Sequence, residues 1–65
     1  MYQALIKKIA PAYDPRHIEA FIRSEHGTLD KLSPARLKAE VEIAAQCVDE
    51  GGADLAERIA KSYGL

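Results

Sequence analysis

Only one of the 65 residues is a cysteine, Cys47, so no internal disulfide can form. Small secreted domains usually carry several, and secretion is not the expectation here. Long apolar runs are also missing. Stretches such as Ala4-Leu5-Ile6 fall far short of the roughly 20 residues that cross a bilayer, which excludes a transmembrane helix from the reading. Lys7 and Lys8 sit inside the first apolar pattern rather than ahead of it, and no small-residue cleavage site follows, so no secretory leader is expected. The expected compartment is the cytoplasm, and the chain has the style of a small bacterial protein.

Charge of one sign is lacking as well. Nine basic residues stand against ten acidic ones, a net charge of −1, which fits neither a disordered tail nor a strongly basic nucleic-acid module. The four glycines are scattered, and Gly51-Gly52 leads into Asp54, whose charge disfavours a phosphate. His17 and His26 lie nine residues apart, with no His-x-x-x-His, Glu-x-x-His or Cys-x-x-Cys pair. No metal and no cofactor is therefore expected. Alternation of apolar and polar residues never persists, so no sheet is assigned.

Apolar residues make up 48% of the chain, but eleven of them are alanines, so the core must be thin. Marginal stability, or stability supplied partly by a partner, is expected of one domain spanning residues 1–65. Apolar spacing and punctuation predict an all-α fold, a small bundle of four short helices with the third helix central. The first runs from about Tyr2 to Ala10, with Tyr2, Leu5, Ile6 and Ile9 on one face, and Pro11 stops it. Asp14-Pro15 starts the second, which turns Ile18, Phe21 and Ile22 inward and ends at Gly27. Leu29 and Leu32 are expected to pin a compact turn to the core. Ser33-Pro34 opens the longest helix, ending near Glu50 before Gly51-Gly52. Its stripe of Leu37, Val41, Ala44 and Val48 is flanked by Ile43, Cys47 and Ala45, a wide apolar arc suited to several neighbours. The last helix, about Ala53 to Tyr63, presents Leu55, Ala56, Ile59, Ala60 and Tyr63, with Gly64 as terminator.

Three functional classes compete. An enzyme would have to use Cys47 with His17 or His26, but a mid-helix thiol on the edge of an apolar stripe reads as a small core residue. His26, just before Gly27, suits the negative end of a helix dipole. Glu40, Glu42, Asp49 and Glu50 read with Arg36 and Lys38 as a solvated face. The segment from Ala53 to Leu65 has an alanine in mid-helix that permits close crossing and a glycine that turns the chain. It resembles the first helix and turn of a helix-turn-helix. That resemblance implies association with DNA and makes Arg58 and Lys61 the candidate contacts. In that family the recognition helix follows the turn, whereas this sequence ends at Leu65. The leading expectation is a non-catalytic helical interaction module, self-associating or bound to another protein. Met1, Tyr2, Tyr13, Tyr63 and Leu65 are large residues near the chain ends, and Tyr2, Tyr13, Tyr63 and Leu65 are its candidate interface, because tyrosine combines apolar area with a polar tip.

Overall fold

Two helix starts follow from local chemistry. In the computed structural model, which describes residues 2–65, Asp14 is extended and its carboxylate accepts from the Arg16 backbone N–H at 2.9 Å. Ser33 repeats the device, its hydroxyl accepting from the Arg36 N–H at 3.2 Å. Each cap satisfies an amide that the first turn cannot, and the proline that follows gives up no needed donor. The elements are α1 (Tyr2–Ile9), α2 (Pro15–His26), α3 (Pro34–Cys47), a π turn (Val48–Gly52) and α4 (Ala53–Ser62). No strand is present among the described residues, and no helix there is long and apolar enough to cross a membrane.

The helices form three continuous stretches rather than the expected four. Residues 34–62 form one stretch, helical except at Gly51, where a kink in the π turn divides it into two arms, α3 and α4. Two glycines make a corner without a loop. Gly51 adopts φ 101°, a conformation that costs an L side chain strain, and redirects the chain. Gly52 then packs so tightly that a β-carbon there would lie 2.7 Å from the Cys47 carbonyl oxygen and 3.0 Å from the Phe21 ring. Beyond α4, the Leu65 N–H returns to the Ala60 carbonyl at 2.9 Å, with Gly64 turning the chain as the sequence suggests.

The core is built on Ile6, Ile18, Ile22 and Val41, all fully buried, with Leu29, Leu37 and Ala44 around them. Leu29 closes the α2–α3 link, where the Leu32 N–H reaches its carbonyl at 3.2 Å. The hub is α2, not α3: α2 packs against α1, α3 and, most extensively, α4. The physical reason is side-chain size. Ala20 on α2 and Ala56 and Ala60 on α4 are fully buried, so the α2 and α4 backbones approach closely. Arg16 meets Glu57 in the middle of α4, and Arg23 meets Tyr63 just after its end. On α3 the buried apolar residues are Leu37, Val41 and Ala44, while Val48, the fourth expected member of that stripe, lies half-buried in the π turn.

Candidate interaction surface

The wide apolar arc of α3 is only partly used. Leu37, Val41 and Ala44 face α1 and α2, but Ile43 remains 52% exposed and Cys47 is exposed. The reading of Cys47 as a core residue is thus corrected: α1 and α2 pack on the flank of α3 that carries Leu37, Val41 and Ala44, and Cys47 lies outside it. Ile43 and Cys47 stand one turn apart on the other flank. They border a groove of about 330 Å³ between α2 and α3, closed by Phe21, Ser24, Glu25 and Glu40.

Glu40 departs from the solvated face assigned to it. It is buried, 5% exposed, because the α2 C-terminus packs over it. Its Oε2 accepts from Arg36 Nε at 2.9 Å, one helical turn back. Its Oε1 lies 3.2 Å from His26 Nε2, which is sealed from solvent and makes no hydrogen bond. His26 ends α2, the position that suits a helix dipole. Glu42, Asp49 and Glu50 are exposed. A second buried carboxylate, Glu19, accepts from Gln3 Nε2 at 3.2 Å and links α1 to α2.

A separate polar clasp joins α2 to α4. Arg16 donates from both Nη atoms to Glu57, at 2.9 and 3.3 Å, and the same carboxylate lies 2.8 Å from His17 Nε2. The Arg16 hydrogen bonds, and next that of His17, hold the Glu57 carboxyl down at about 2. Ionised, it accepts only, so the proton in the third contact belongs to His17 Nε2. Donor atoms of Asp14, His17 and Glu57 converge within 4.8 Å, and so do those of Glu25, His26 and Glu40. These sets have the donor chemistry of a cation site, assembled from separate helices and therefore invisible to ligand spacing. In each, an arginine already neutralises one carboxylate: Arg16 on Glu57 and Arg36 on Glu40.

The four candidate interface residues do not form one surface. Tyr2 is half-buried against the core, with its hydroxyl donating to Asp30. It shares a groove with Arg23, whose guanidinium stacks 4.5 Å from the exposed Tyr63 ring, so Tyr2 and Tyr63 flank one arginine. Tyr13 stands in another groove, beside Ile9 and Ala45, and its hydroxyl donates to Asp49 of the π turn at 2.6 Å. Leu65 is half-buried after α4, and Met1 lies outside the described residues. Arg58 and Lys61 are exposed on α4. In the sequence Ile43 and Cys47 flank the apolar stripe. The signal was present, since the apolar arc is wider than the face that α1 and α2 bury. Protein-family models, curated proteins and solved structures offer no match to this chain.

Proposed function

We propose that this chain is a non-catalytic helical interaction module that offers the outer flank of α3 to a protein partner. The observation that carries the reading is Ile43, 52% exposed on the same helix whose Leu37 and Val41 are buried. Covering such a side chain is worth on the order of 1 kcal/mol. The adjoining groove supplies further apolar area from Phe21 and Ala44. The polar clusters support a structural part for the ionisable groups. A carboxylate held near 2 by a bidentate guanidinium, as Glu57 is, makes a poor general base. The test compares the wild-type chain with Ile43→Asp, first showing by circular dichroism that both are folded. Wild type is expected to associate in sedimentation, or to capture a protein from host extract, and the variant to lose that association. A wild-type chain that stays monomeric at high concentration and captures nothing that Ile43→Asp loses would end this reading.

A further inference from the structure

The geometry points to a second copy of this chain as the occupant of the α3 flank, docked antiparallel about Ile43; this rests on the interaction reading above and names its partner. Arg36, Ala39, Ile43 and Cys47 fall within about 80° of arc at 100° per residue, Glu50 follows in the π turn, and all five are exposed. They make a second stripe, distinct from the Leu37–Val41–Ala44 stripe that faces the core. The centre of this stripe is apolar or small, one end is basic and the other acidic. That polarity selects an orientation. Parallel pairing would set Arg36 against Arg36 of the second copy and Glu50 against Glu50. Antiparallel pairing about a two-fold axis at Ile43 sets each Arg36 against Glu50 of the other copy, each Ala39 against Cys47, and Ile43 against itself. It also opposes the two helix dipoles. Arg36 is free for the contact: its side chain is 61% exposed and only its Nε is engaged by Glu40, leaving both Nη groups for a carboxylate.

The register makes a covalent test possible. In this pairing the two Cys47 residues lie eight positions apart along the helices, about 12 Å, beyond the roughly 7 Å between α-carbons that a disulfide spans. Position 39 faces Cys47 directly. Oxidation with diamide is therefore expected to leave wild type uncrosslinked and to convert Ala39→Cys into a disulfide-linked dimer on non-reducing gels, while sedimentation shows both as dimers under reducing conditions. Arg36→Glu and Glu50→Arg, each alone, are expected to weaken the dimer roughly tenfold, and the double variant to restore it. A wild-type dimer in which Ala39→Cys fails to crosslink overturns this register and leaves self-association standing. A wild-type chain that is monomeric at high concentration overturns the second copy as occupant; whether another protein binds the flank is then decided by the Ile43→Asp capture comparison.

Discussion

Arg16 and Glu57, 41 residues apart in sequence, meet through two side-by-side contacts of 2.9 and 3.3 Å that tie the first turn of α2 to α4. Such forked pairing is directional and fixes the register of the helices as well as their attraction. It also makes stability depend on acid. The Glu57 carboxyl falls from its ordinary 4.5 to about 2 in the folded chain, so folding favours the ionised form. The resulting stabilisation is present in full above the ordinary value and is lost as pH falls from about 5 toward 2. Thermal melts followed by circular dichroism across that window should show a falling Tm for wild type. Glu57→Gln should melt lower at neutral pH and lose less on acidification. Equal acid dependence in the two proteins would remove Glu57 as the group responsible.

The corner between α3 and α4 has no room for a side chain. A β-carbon on Gly52 would press on the Cys47 carbonyl oxygen at 2.7 Å and the Phe21 ring at 3.0 Å. The ring can swing away, but the carbonyl belongs to the helix backbone and cannot move alone. Gly52→Ala should cost about 1–3 kcal/mol, lowering Tm by several degrees in a domain of this size. Urea denaturation gives the free energy directly, and a neutral result would mean that the π turn rearranges without cost.

What could be read in advance was local. Asp14-Pro15 and Ser33-Pro34 announce helix starts because a cap and its proline act within three residues, and Gly51-Gly52 marks the corner for the same reason. The stripe of Leu37, Val41 and Ala44 follows from helical periodicity alone. What could not be read depends on which faces meet. Glu40 carries the signature of a solvated residue and is buried only because the α2 C-terminus lies across it. Cys47 stands beside the apolar stripe, yet it lies on the flank of α3 that α1 and α2 leave exposed. The centrality of α2 rests on the close approach of Ala20 to the alanines of α4, and small residues give the weakest apolar signal in a sequence. The Arg16–Glu57 contact, which holds that packing, joins residues too distant in sequence for any spacing rule.

Leu5 and Ile6 are neighbours on α1 with opposite fates, Leu5 44% exposed and Ile6 fully buried. Ile6→Ala removes most of a side chain from the centre of the core and should cost about 2–5 kcal/mol, enough to unfold a large share of so small a domain. Leu5→Ala should cost under about 1 kcal/mol, since alanine matches leucine in helix propensity and much of the leucine is already in water. Chemical denaturation of the two variants side by side checks the orientation of α1. Equal losses would mean that the helix is rotated about its axis.

Tyr13 and Asp49 fasten the α1–α2 link to the π turn through one hydrogen bond of 2.6 Å. The phenol donates to the carboxylate, a phenolate has no proton to give, and the hydrogen bond, with burial and the carboxylate charge behind it, holds the Tyr13 hydroxyl above its ordinary 10.0. A folded-state value raised in this way stabilises the chain below the ordinary value, and the benefit disappears as pH rises through the raised one. Tyr2, which donates to Asp30, is raised in the same way, so alkaline titration followed by phenolate absorbance is done in a Tyr2→Phe background, where it should show a late-ionising tyrosine that Tyr13→Phe removes. Asp49→Asn should bring that ionisation back toward 10 while leaving the fold intact at neutral pH. If Asp49→Asn leaves the late step where it was, the hydroxyl is held by some other acceptor, and the π turn is not fastened through Tyr13.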